Sequence, residues 1–281
     1  MRRRLVPHRC QIFPRWFFAE TPTQTCAAPA SKNYFLLQLT IMKTELQFAD
    51  DERLRKVTLA LVELEGIDWG RAAEVAPEAL FEKILGEARA SGTEVFGPRI
   101  KAARDMLRNG RYKPAGRAKP SSEYLLAAAL EGSFPRVNPF VDAVNLASLR
   151  YMYPMSIFDA DKAGRALLCR LGAPGERYVF NSSGQEIDVE DLVCLCAAGP
   201  AFALAADLPP QPARGTPIVN PVRDSMATKL FEGAHNAVVV VYAPGGPYGA
   251  EGTAIASAAR DLAEWCGRPS ESVAVRFASL S

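Results

Sequence analysis

Histidine is almost absent. Among 281 residues only His8 and His235 carry an imidazole, the side chain most used as a general base and metal ligand at neutral pH. The six cysteines, at 10, 26, 169, 194, 196 and 266, form no Cys-x-x-Cys pair. That argues against a Cys/His zinc site, and Cys194 and Cys196 fit alternate positions of one strand. Reduced thiols suit the cytoplasm. No apolar run is long enough to cross a bilayer, so no membrane partner is expected. No internal repeat is present. A hydrophobic fraction of 48% with 23% charged residues suits a globular chain with a sizeable core.

The net charge of +2 conceals a division. Residues 1–41 hold six Lys/Arg and one acid, Glu20, leaving 27 basic against 30 acidic side chains from the totals of 33 and 31. The remainder is therefore not basic overall, and any contact with nucleic acid must come from a local patch. The first 41 residues, with Arg2, Arg3 and Arg4, a Pro/Thr/Ala/Ser stretch at 21–31 and the apolar run 35–42, read in two ways. An Arg-rich, acid-poor transit peptide is one. The other, preferred, is a start misplaced upstream of Met42; both leave residues 1–41 as a disordered extension.

Apolar spacing then predicts helices over 51–65 (Leu54, Val57, Leu61, Leu64), 77–90 (Leu80, Phe81, Ile84, Leu85) and about 98–109, a helical flank across 42–109. A further helix over 121–130 ends at Gly132. Within 138–162, Asn138 is a good N-cap and Pro139 suits the first helical position. Asp142 and Asn145 share one face of that otherwise apolar helix. After it come short β-like runs at 166–171, 177–180, 186–189, 192–196 and 202–206, with a hairpin turn at 181–184. A proline-rich link over 208–217, a strand at 238–242, a Gly/Pro break at 245–249, a helix at 251–266 and a strand at 272–277 complete the chain. The class is α+β, a mixed sheet with helices packed against it.

The run Val-Asn-Pro-Phe-Val-Asp-Ala-Val-Asn (137–145) followed by Tyr-Pro-Met-Ser-Ile-Phe-Asp-Ala-Asp-Lys (153–162) resembles the B3/B4 editing module of the bacterial phenylalanyl-tRNA synthetase beta chain. The similarity continues through Gly175-Glu176, the stretch around 177–196 and the segment 199–205, and 223–237 is similar to free-standing relatives. The resemblance covers roughly 110–245. It implies a B3/B4-like editing domain over 110–281 and hydrolysis of the ester joining a wrong amino acid to tRNA. Such an ester is already activated, so a catalyst need only position water, stabilise the oxyanion and hold the substrate. A free-standing trans-editing deacylase of the cytoplasm, without metal or cofactor, is the function expected; a binding module for amino acids or tRNA ends is the alternative.

Carried over residue by residue, the resemblance matches Asp142 and Asn145 to the Asp and Asn of the signature helix, with Asn138 ahead of them. Ser156 stands where the synthetase module has a pocket histidine, and Met226 is the nearest match to a substrate-selecting glutamate. The pocket is therefore shaped differently, and its amino acid is not specified. Arg223, Asp224, Ser225, Thr228 and Lys229 form a later polar cluster, with Asp224 a catalytic candidate beside Asp142 and Asn145. Several readings stay open on the residues alone. Asp142 and Asn145 are either a satisfied polar network or a pocket wall. Asp224 and Ser225 either serve chemistry or cap a helix, and Asp159 and Asp161 suit capping better than catalysis. A Ser-His-Asp triad would need His235, which reads rather as a capping or core residue. Arg99, Lys101, Arg104, Arg108, Arg111, Lys113, Arg117 and Lys119 face one acid within their run, Asp105. They are either a solvated basic face or, as tRNA implies, phosphate contacts together with Arg223 and Lys229.

Overall fold

Residues 57–65 set the architecture. In the computed structural model, which describes residues 43–199, 215–245, 253–267 and 275–279, they form strand β2 (Val57–Glu65), buried along almost its whole length. The helix expected over 51–65 is thereby corrected. Only Glu52–Lys56 is helical, a short 3-10 turn capped by Asp51. The three- and four-residue spacing of leucines misled because Thr58, Ala60 and Val62 between them are apolar or small enough to bury as well. A strand covered on both faces reads as a continuous run with no helical stripe to test against.

β2 lies inside a four-stranded sheet in the order β10-β2-β9-β3, formed with β10 (Val275–Ser279), β9 (Asn236–Pro244) and β3 (Met155–Asp159). All neighbours run antiparallel. Alternation splits its side chains between two cores. Ala60, Val62, Leu64, Val239 and Val241 face the helices α1 (Glu78–Leu107), α2 (Ser121–Glu131), α3 (Pro139–Tyr151) and α5 (Thr253–Trp265). Leu59, Leu61, Val238, Val240 and Tyr242 face a second sheet. That sheet has the order β1-β4-β7-β8, from β1 (Glu45–Phe48), β4 (Ala166–Leu171), β7 (Val193–Ala197) and β8 (Thr216–Val219). Its β1–β4 pairing is parallel and the others antiparallel, so the sheet is mixed. Cys194 and Cys196 occupy alternate positions of β7. A hairpin, β5 (Arg177–Val179) and β6 (Glu186–Asp188), and a single-turn helix α4 (Ala160–Ala163) complete the described elements.

The helices expected over 77–90 and 98–109 are the two halves of α1, broken at Gly92 by a backbone of φ 64° and ψ −172°. The expected extension 1–41 and the runs 202–206 and 246–249 lie outside the described residues, as does most of the 208–217 link. Among the described residues no helix is long and apolar enough to cross a membrane, and no group of three or more His, Cys, Asp or Glu side chains could hold a metal ion.

Candidate functional site

α3 begins as its sequence dictates: Asn138 Oδ1 accepts from Val141 N at 3.0 Å, and Pro139 follows as the first helical residue. The Asn138 amide also donates to the carbonyl of Leu230 at 3.1 Å, tying the helix start to the later polar segment. Asp142 turns away from that segment. Its carboxylate accepts from Val137 N at 2.8 Å and from Arg136 Nε at 3.3 Å, and it is 5% exposed. Burial pushes its pKa up against those two donors. Both oxygens are thus used in closing the turn before α3. Asn145 is half-buried inside α3, and its side chain makes no hydrogen bond among the described residues.

Ser156 and Asp224 come together on the other side of the sheet. Ser156 pairs with Val240 in the β3–β9 register, which turns it away from Met155, Ile157 and the helical layer that carries Asp142. Its hydroxyl lies 2.7 Å from Asp224 Oδ1 and 3.2 Å from the Asn220 carbonyl, and one O–H favours the nearer, charged acceptor. The backbone turn that presents Asp224 is held by Asn220, whose Oδ1 accepts from Val222 N and Arg223 N, each at 2.8 Å. The Asn220 amide meets the Tyr178 hydroxyl, which donates at 2.5 Å to the Arg223 carbonyl. Lys229 donates to the Phe180 carbonyl at 2.6 Å. Ser225 caps the following 3-10 turn, Met226–Thr228, by accepting from Ala227 N, so that part of the cluster is structural. Met226 is half-buried, and Thr228 Oγ1 is buried without a protein partner.

Electrostatics single out Asp224. Although the residue keeps some exposed surface, its carboxyl is enclosed. Burial raises its pKa to about 7, opposed by the Ser156 hydroxyl, Lys229 and the backbone N–H groups of Asn220 and Ile157. Burial likewise lowers the Lys229 ammonium, with Asp224 acting in the other sense. A carboxyl poised near neutrality can exchange a proton with water or substrate at physiological pH. His235, by contrast, is exposed, neither a core residue nor a member of a triad.

Beside this network lies an open cleft of about 470 Å³. The loop carrying Tyr112, Arg117 and Ala118 forms one wall, the β5–β6 hairpin with Phe180, Gln185, Glu186, Ile187 and Asp188 the other, and Arg223 the end. Arg223 lies over the Phe180 ring with Cζ at 4.6 Å from its centroid. Phe180 and Arg223 therefore belong both to the cleft and, through their carbonyls, to the network around Asp224.

The basic run is thinner than its sequence suggests. Lys101 and Arg108 pair with Asp105, Arg104 and Lys119 with Glu123, and Arg111 with Glu190 at 3.2 Å. Two acids from outside the run, Glu123 and Glu190, thus neutralise cations expected to meet phosphate. Among the described residues Lys113, Arg117 and Arg223 have no ion-pair partner, and Lys113 and Arg117 are exposed. Asp159 caps α4 through Asp161 N and Lys162 N, and Asp161 accepts from the backbone and side chain of Asn236. Their pairing is structural.

Sequence reasoning missed Asn220, Tyr178 and Phe180. The first carries a signal, since Asn before Pro221 favours a side-chain-stabilised turn. Tyr178 lies in the short strand β5 and Phe180 just past its end, a pattern that says nothing of what they face.

Residues 112–206 match the family model of the B3/4 domain, which takes in α3, Ser156 and most of the cleft but stops short of Arg223 and Asp224. No curated protein matches the chain.

Proposed function

We propose that this chain, whose residues 112–206 match the B3/4 domain, a family related to the editing module of the phenylalanyl-tRNA synthetase beta chain, is a free-standing deacylase. It hydrolyses the ester of mischarged tRNA in trans. The observation that carries this reading is the Asp224 carboxyl, with a pKa of about 7, hydrogen-bonded to Ser156 and set behind a cleft with two guanidinium groups. Asp224, deprotonated, takes a proton from the water that attacks the ester carbonyl and returns it to the ribose oxygen that leaves. Ser156 keeps the Asp224 oxygen oriented, and Lys229 steadies its charge. Ser156, Met226 and Thr228, with Ser225 fixing their turn, stand on the side of the sheet that holds Asp224 and are offered to the amino acid, whereas Asn138 and Asn145 belong to α3 in the opposite layer and act through the placing of that helix. Asp142 holds the turn before α3 and positions that helix. Lys113 and Arg117 contact phosphates and Arg223 adds its charge at the end of the cleft, with Arg108, Arg111 and Lys119 weaker because acids already engage them. No metal or cofactor enters the reaction, and the setting is the cytoplasm.

A second reading, a binding module without turnover, draws on the 2% exposure of Ser156 and the commitment of its hydroxyl to Asp224. One experiment separates the two. The protein is incubated with a panel of mischarged tRNAs and release of each amino acid is followed, with Asp224→Asn in parallel. Loss of one ester, correctly charged tRNA being spared, with the rate falling about 10²-fold or more in the variant, supports the deacylase. Survival of every ester while a charged tRNA still binds gives the binding module instead.

A further inference from the structure

The cleft carries more than cations. Its lining pairs the guanidinium groups of Arg117 and Arg223 with the carboxylates of Glu186 and Asp188, the amide of Gln185 and the ring of Phe180. Glu186 and Asp188 are alternate residues of β6, so they leave the strand on one face. Their engagements inside the protein are slight. Glu186 meets Arg177 at 3.6 Å in a pair about half exposed, and one Asp188 oxygen accepts from Glu190 N at 2.9 Å. A surface pair of that kind contributes little and leaves acceptor sites open. Arg223 lies over Phe180 with Cζ 4.6 Å from the ring centroid, a cation–π contact that sets a guanidinium beside the aromatic ring. The cleft volume of about 470 Å³ falls within the range usual for small ligands, roughly 300–1,000 Å³.

A phosphate alone would explain the two arginines but not two carboxylates facing them. An unpaired nucleotide explains both. Its phosphate suits Arg117, and its base stacks on the Arg223–Phe180 platform. Its exocyclic amine, if it has one, donates to a carboxylate, as cytosine N4 does to Asp or Glu. Adenine and cytosine carry such an amine and uracil does not. These are the bases of the cytosine-cytosine-adenine end common to tRNAs.

We propose that this cleft is a base-reading site for an unpaired, amino-bearing nucleotide at the 3′ end of an RNA strand, with Glu186 and Asp188 accepting from the base and Arg117 holding the phosphate. The assignment deepens the deacylase reading and rests on it for the identity of the strand.

Binding of fluorescent CCA and UUU trinucleotides to the full chain at low salt tests it. CCA should bind about five- to tenfold more tightly than UUU, and the Glu186→Gln/Asp188→Asn double variant should bring that ratio close to one. Both positions are exposed, so the variant should keep the wild-type melting temperature. Arg117→Ala should weaken both trinucleotides alike and reduce the salt slope by about one. Equal binding of CCA and UUU by the wild type, or a preference that survives the double variant, overturns the proposal. AMP or CMP competing as well as CCA overturns the strand-end assignment. Deacylation of mischarged tRNA is followed separately. Turnover without base preference removes this inference alone, and base preference without turnover removes the deacylase and leaves the base-reading site standing.

Discussion

Asp224 makes the fold sensitive to pH in a definite direction. Its carboxyl ordinarily titrates at 3.8 and is raised by burial to about 7 in the folded protein. The native state therefore prefers the neutral acid. That contribution to stability is complete below the unfolded value and disappears as pH rises through about 7. Asp224→Asn, which cannot ionise, should flatten the melting temperature against pH between about 4 and 7; a profile unchanged by the substitution would place the ionisation elsewhere. The proposed deacylation would run the other way, because a general base must be ionised: kcat/KM should climb through an apparent pKa near 7. Asp142 behaves differently at the same scale. Because its two oxygens serve Val137 N and Arg136, Asp142→Ala orphans a backbone donor. The expected cost is about 1–3 kcal/mol in chemical denaturation, with the residual activity tracking the folded fraction. A rate collapse in a variant of native stability would instead return Asp142 to the chemistry.

The elements show which parts of the molecule could be read from the chain and which could not. α3 with its Asn138 cap and Pro139, α2 with its stop at Gly132, and the β5–β6 hairpin follow from local signals, since each is decided within a few residues. β2 was illegible for the opposite reason, because its strand character comes from β9 and β10, distant in sequence, closing on its two edges. The site divides in the same way. The resemblance led to Ser156 and Asp224, but only the β3 register shows that Ser156 faces away from the layer holding Asp142. The pairings of Arg104 with Glu123 and of Arg111 with Glu190 depend on folding and leave no trace in spacing, whereas Lys119 and Glu123 are four residues apart. The break in α1 is a local matter again. Gly92, at φ 64° and ψ −172°, has open space around a would-be Cβ, so only backbone strain opposes a side chain there. Gly92→Ala should therefore destabilise by about 1–3 kcal/mol without altering the site, measured by urea unfolding beside a deacylation assay. A neutral substitution would mean that the two halves of α1 can straighten without loss.

Across the whole molecule the distribution of charge decides how strongly RNA can bind. The chain after residue 41 has a net acidic balance, so a strand of phosphates is held only where local cations are free of partners. Counting the basic run by sequence gives eight such groups over 99–119, but Asp105, Glu123 and Glu190 occupy most of those that could face a ligand. Lys113, Arg117 and Arg223 are the cations that would release counterions outright. Three contacts give a slope of log K against log salt of about −2 to −3, whereas engagement of all eight in the run would give about −6 to −7. Measured with charged tRNA between low and physiological salt, a slope near −2 to −3, reduced further by Arg117→Ala, fits a single-stranded end entering the cleft. A slope near −6 or steeper would mean that the internal ion pairs open on binding and that the tRNA body, beyond its end, lies along α1.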